Sequence, residues 1–243
     1  MIKCITKTTS KKNILQAARD GIFLNEISME KALRQINSVF MNDRTFVLSL
    51  IDEAQFYKDI DRHCFVYDVF KCVSFQLTMD AKFAGAILNR NPFMYEVLPE
   101  KYKHDFFITK LAVQKYGRNL QYADEELRNI DQIAMDAIHT DYSAFEFVGD
   151  ELKDDSNFVC YAVANHNASC IQYASDRIKN DYDTAWDLIH LDIGSLEYLS
   201  DELKDNFDIV FETVKIKPSM IEYASDRLKN DSFLQKFIQN CSM

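Results

Sequence analysis

The densest collection of reactive side-chain types in this chain is Asp59, Asp61, His63 and Cys64. Those types could support thiolate chemistry, with a base drawing the proton from the thiol and an acid orienting the base. The spacing argues against it. Neighbours on a helix point about 100° apart, so His63 is badly placed to activate Cys64, and a reactive thiolate also needs exposure and a positive neighbour. A second candidate is an acid and a base three residues apart. It occurs six times, as Glu100/Lys103, Glu125/Arg128, Asp150/Lys153, Asp176/Lys179, Asp201/Lys204 and Asp226/Lys229. A catalytic pair is needed once, whereas a structural device recurs. At that spacing a helix gains a few tenths of a kcal/mol, and the base suits the C-terminal end of the helix dipole.

The remaining chemistry is thin. His139 and His190 occupy one repeat position at the end of a helix, where an imidazole satisfies unpaired carbonyls. No phosphate-cradling loop, zinc-protease or nucleophile-elbow spacing is present, and five glycines leave little material for one. The six cysteines form no paired spacing and match no histidine pattern, so no metal or other cofactor is expected, and a reducing intracellular compartment is. Cys160 and Cys170 stand where other copies of the repeat place Met, Phe, Ala or Ser, as small buried hydrophobes do.

Binding chemistry is better represented. Tyr182 and Trp186, then Phe207 and Phe211, lie outside the apolar stripes of their helices. Aromatics in such places anchor protein interfaces, Trp and Tyr above all. The competing role for the four is to pack on the adjacent helix or to seal the last helix of the repeat.

The elements that position these residues follow from an internal period. Tyr102, Leu127, Leu152, Ile178, Leu203 and Leu228 are 25 or 26 residues apart, and Leu77 extends the series by one. Three residues after each anchor stands Asp80, Asp105, Ile130, Asp155, Asp181, Asn206 or Asp231; all but Ile130 are good N-caps. Counted from the cap, positions +3, +4, +7 and +8 read Phe83, Ala84, Ile87, Leu88 in one copy and Phe158, Val159, Ala162, Val163 in another. This is the stripe of an amphipathic helix of about ten residues. A second cap follows at Asn91, Asp141, Asn167 or Asp192, and Pro92 and Pro218 fall one residue further, where a helix accepts proline. The chain therefore restarts as a second helix, whose apolar residues stand three, five, six and ten places after the proline position, as in Ile171, Tyr173, Ala174 and Ile178.

Three prolines and five glycines among 243 residues agree with an all-α chain. No run reaches the roughly 20 apolar residues of a membrane span. The first 19 residues carry five basic and no acidic side chains; we read them as an arm and a first helix, although their composition also suits an organelle presequence. Net charge is −10. Residues 101–243 hold 15 basic and 26 acidic groups, so this half repels polyanions and nucleic acid is not expected as a partner.

The copies ending YASDRIKND (173–181) and YASDRLKND (223–231) resemble the repeat of domain of unknown function 4116, common in proteins of giant viruses and of bacteria living inside amoebae and other host cells. The likeness runs over about residues 75–243 and fades toward the N-terminus, where VFMNDRTFVLSLI (39–51) keeps only a cap and a stripe. It implies a helical solenoid in a host-associated setting and carries over no catalytic residue.

The expected fold is an all-α solenoid of about seven to eight stacked 25-residue hairpins, with degenerate layers over 1–75 and regular ones over 76–243 as one continuous solenoid. The expected function is a non-enzymatic protein-binding scaffold, a host-directed effector or a viral protein, in the cytoplasm or the host cytosol. It binds a protein partner through Tyr182, Trp186, Phe207 and Phe211. The alternatives are an effector enzyme whose activity resides in 1–75, and end-to-end self-association through the final helix.

Overall fold

The structure, a computed structural model, describes residues 10–19, 33, 34, 36, 38–54 and 62–241. Every regular element among them is helical. Ten helices of nine to eleven residues carry the architecture: α1 (Lys11–Arg19), α2 (Arg44–Ala54), α3 (Arg62–Cys72), α4 (Ala81–Arg90), α5 (Phe106–Lys115), α6 (Asp131–Thr140), α7 (Ser156–Asn165), α8 (Tyr182–Leu191), α9 (Phe207–Ile216) and α10 (Ser232–Cys241). They fall into two compact units divided between Tyr122 and Ala123.

The caps form where the sequence puts them. Asp80, Asp105, Asp155, Asp181, Asn206 and Asp231 each accept a backbone N–H from the first turn of α4, α5, α7, α8, α9 and α10, at 2.8 to 3.3 Å. Ile130 has no such side chain, and Asp131 follows it in the first turn of α6. The stripe positions are buried in α4 to α9, as with Ile133, Ala134, Ala137 and Ile138 of α6 and Ile209, Val210 and Val214 of α9, whereas in α10 only Leu234 is buried. Each large aliphatic side chain so buried contributes about 1.5–3 kcal/mol.

In the N-terminal unit α1 packs on α2, α2 on α3 and α4, and α4 on α5. Arg90 grips Asp52 with two bonds of 2.6 Å, Arg44 reaches Asp80 at 3.2 Å, and Lys11 pairs with Asp43, the cap of α2. In the C-terminal unit α6, α7, α8 and α9 pack in chain order.

The second half of each repeat differs from expectation. It is not one helix but a six-residue 3-10 helix, such as Ala168–Tyr173 or Ile193–Tyr198, then two extended residues, then a single α turn, such as Asp176–Asn180 or Asp201–Lys204, replaced by a 3-10 turn, Glu100–Tyr102, in the copy that starts at Pro92. The cause is local. Side chains three apart eclipse in a 3-10 helix, and Ala168, Ile171 and Ala174 are buried at that spacing. Ser175 then starts the α turn by accepting the Ile178 N–H at 3.2 Å, which requires its own backbone to be extended.

That break joins the layers. In the C-terminal unit the backbone N–H of Gly149, Ser175, Ser200 and Ser225 donates to the carbonyl of Arg128, Lys153, Lys179 and Lys204 respectively, the basic residue of the preceding layer, at 2.9 to 3.0 Å. Side chains reinforce the ladder in two alternating forms. Where the preceding layer ends in Asp, as Asp154 or Asp205, the next supplies Ser and Arg: Ser175 and Arg177 bind Asp154, and Ser225 and Arg227 bind Asp205. Where it ends in Asn, the next supplies Glu: Asn180 donates to Glu202 at 3.0 Å and accepts from Ser200 at 2.5 Å. Asn129 goes further and accepts the Glu151 N–H at 3.1 Å, capping the α turn of the next layer. A Cβ at residue 149 would collide with this carboxamide, which is why a glycine stands where other layers carry serine.

Candidate functional site

These contacts explain the base in three copies of the sixfold acid and base pair, those of Lys103, Lys153 and Lys179. Asp176–Lys179 and Asp226–Lys229 approach only to 4.0 and 3.8 Å, with the aspartates fully exposed. The base has a firmer bond elsewhere: Lys153 donates to the Glu146 carbonyl and Lys179 to the Gln172 carbonyl, both at 2.8 Å, and Lys103 donates to the Tyr95 carbonyl. Each closes the C-terminal end of its 3-10 helix, which leaves carbonyls unpaired. Lys103 is the extreme case. Its ammonium is buried over the rings of Tyr95 and Tyr122, 4.1 and 5.3 Å from their centres, and burial pushes its pKa down to about 8.

The other chemical candidates are settled in part. His139 and His190 each place Nδ1 2.8 and 2.7 Å from the carbonyl four residues back, of Met135 and Trp186, and so donate to the last turn of their helices. Cys170 is buried, with its pKa pushed up to about 11, and burial together with the charge of Asp187 raises that of Cys160; both are the reverse of an activated thiolate. The backbone of His63 and Cys64 belongs to α3, whereas their side chains, with Asp59 and Asp61, lie outside the described residues. Among the described residues no trio of His, Cys, Asp or Glu could hold a metal, and no helix is long and apolar enough to cross a membrane.

The four aromatic residues singled out from the sequence stand on two neighbouring helices of the C-terminal unit. Tyr182 and Trp186 open α8 and stack with ring centres 6.1 Å apart, and Trp186 also lies 5.2 Å from the His190 ring. Phe207 and Phe211 open α9 and stack at 5.7 Å. Both pairs are four residues apart, at the first and fifth positions of a helix whose cap, Asp181 or Asn206, immediately precedes it, so each pair forms one rung along its helix. No ring contact joins the two rungs to each other. Two residues that sequence reasoning did not single out complete the surface. Phe233 and Phe237 of α10 approach Phe207 and Phe211 at 5.3 to 6.0 Å, so the Phe rung is partly covered from that side. Tyr182, Phe207 and Phe233 remain 40%, 37% and 54% exposed.

Between α7 and α8, beside the Tyr182 rung, lies an open depression of about 560 Å³ lined by Ser156, Asn157, Cys160, Asp183, Asp187 and His190 among others. In the N-terminal unit a smaller one of about 370 Å³ is lined by Lys12, Leu15, Gln16 and Glu53 and offers no cysteine, serine or histidine.

The family model described as "Domain of unknown function (DUF4116)" matches the chain over residues 82–128, 131–179, 162–204 and 181–229. No curated protein and no solved structure matches it.

Proposed function

The chain belongs to the DUF4116 family, whose description assigns no activity, and from its own surfaces we propose that it is a protein-binding scaffold rather than an enzyme. The observation that carries this reading is the run of aromatics across three successive helices, with Tyr182, Phe207 and Phe233 exposed and Trp186 and Phe211 half-buried against them. Burying apolar surface is the main driving force of protein association, and aromatic anchors supply most of it. Stacked layers offer an extended face of this kind and few convergent pockets, which favours a macromolecule over a small ligand. The acidic balance of residues 101–243 directs the choice toward protein rather than nucleic acid. The family's host-associated setting makes a host protein the natural partner, and the scaffold then acts as an effector in the host cytosol.

Affinity capture from host lysate tests this reading, with the intact chain compared with a Tyr182→Ala/Trp186→Ala variant shown by circular dichroism to be folded. A protein recovered by the first and lost by the second is the expected result. Recovery of the same proteins by both would move the binding surface elsewhere.

A further inference from the structure

Helices α8 and α9 share a pattern that none of the other labelled helices has. The first and second residues are aromatic then acidic, and the fifth and sixth are again aromatic then acidic: Tyr182, Asp183, Trp186, Asp187 in one and Phe207, Asp208, Phe211, Glu212 in the other. Residues four apart are neighbours on a helix, so each helix presents an aromatic row beside an acidic row. The corresponding residues of α7 are Ser156, Asn157, Cys160 and Tyr161.

The α9 copy already holds a cation. Lys215 Nζ lies 2.8 Å from Glu212 Oε2 and 5.9 Å from the centre of the Phe211 ring, within the range of a cation–π contact. The residue of α8 equivalent to Lys215, nine after the cap, is His190. It gives Nδ1 to the Trp186 carbonyl and turns Nε2 toward Glu212 of α9, at 3.8 Å. The carboxylates of Asp183 and Asp187 are thus left with no ion pair or hydrogen bond among the described residues, although like charges four apart on one helix oppose each other. Asp181, the third acid of this turn, is engaged as the cap by the Thr184 hydroxyl and amide.

We propose that this face docks a cationic, apolar-bearing segment of a partner protein. A Lys or Arg head sits over Tyr182 and Trp186 between Asp183 and Asp187, and apolar residues of the segment lie against Phe207, Phe211 and Phe233. The occupant follows from charge complementarity: unpaired acids beside exposed aromatic rings attract a cation and repel an anionic segment. The proposal rests on the protein-binding reading and names its partner's chemistry.

Trp186 is the only tryptophan of the chain, so its fluorescence reports on this face alone. The probes are an amphipathic peptide of leucines and arginines, a twin with glutamate for arginine, and a twin with alanine for leucine. The leucine–arginine peptide is expected to shift Trp186 emission saturably and to bind at least about tenfold more tightly than either twin, less so as salt is raised. Asp183→Asn/Asp187→Asn, both exposed positions, should weaken it by about tenfold with the circular dichroism spectrum unchanged. Equal saturable binding of the arginine and glutamate peptides would overturn the cationic partner and leave the scaffold reading standing; no shift with any peptide would count against both. An emission shift that grows with the chain's own concentration, without peptide, would assign the face to a second copy and overturn the proposal.

Discussion

Two edges of the same layers behave differently. Along the turn edge, where the 3-10 helix meets the short α turn, each layer of the C-terminal unit repeats one backbone bond to its predecessor and one of two side-chain clamps. Along the outer flank of the ten-residue helices each layer carries something else: Ser156 and Asn157, then Tyr182 and Asp183, then Phe207 and Asp208. Residues that recur solve the burial and hydrogen-bonding problem that every layer has. The residues that vary are free of that duty, and a binding function is to be sought among them.

The sharpest way to break this division is to damage what all layers share. Phe145, fully buried and in ring contact with Phe158 of the next layer, should cost about 3–5 kcal/mol when replaced by alanine, read as a lower denaturant midpoint. The serine clamps come next. Ser175→Ala or Ser225→Ala removes a cap, at about 0.5–2 kcal/mol. Arg177→Glu sets like charges against Asp154, and Asp154→Asn should restore part of the loss; unchanged stability in both would show the clamp to be ornamental.

Acid and base titrations separate the solvent-facing clamps from the buried ammonium of Lys103. The Ser175 and Ser225 hydroxyls, with Arg177 and Arg227, hold the carboxyls of Asp154 and Asp205 below the usual 3.8. Folded values below unfolded ones mean stability that is present above about pH 3.8 and lost as pH falls through the folded values. Arg177→Ala/Arg227→Ala should therefore flatten the acid limb of the stability curve. Lys103 works in the opposite sense. Its pKa of about 8 lies below the 10.5 of an unfolded lysine, so the cost of its buried charge is present below pH 8 and relieved as pH rises from 8 to 10.5. Stability should rise across that window more steeply in the intact chain than in Lys103→Met, where the smaller contribution of Lys153, also depressed by burial, remains. The smallest effect on stability belongs to the varied flank: Tyr182→Ala/Trp186→Ala removes one exposed and one half-buried ring from outside the apolar stripe of α8 and should cost far less than Phe145→Ala.

Much of the fold was legible in the sequence. The caps at Asp80, Asp105, Asp155, Asp181, Asn206 and Asp231 and the buried stripes behind them follow from spacing alone, because both are local. The 3-10 segment was there to be read in the three-residue spacing of Ile171 and Ala174, but the four apolar places at three, five, six and ten also suit a single helix. Nor does one layer reveal why residues 171–181 resemble 221–231 more than 196–206. The alternation of Asp with Arg and of Asn with Glu is a pairing between neighbours, so identical clamps return every second layer. For the aromatic flank, the residues were legible and their cover was not: that Phe233 and Phe237 lean on Phe207 and Phe211 depends on how α10 docks. Lining up YDTAWD with FDIVFE would have exposed the acidic rows.

The division of labour is tested most directly by a crossed measurement on two variants, Arg177→Glu/Arg227→Glu at the turn edge and Tyr182→Ala/Trp186→Ala on the flank, each scored for denaturant midpoint and for specific capture from host lysate. The edge variant should lose stability while still recovering the partner wherever it is folded, and the flank variant should keep stability and lose the partner. A flank variant that unfolds as readily as the edge variant, or that captures what the intact chain captures, would contradict the account.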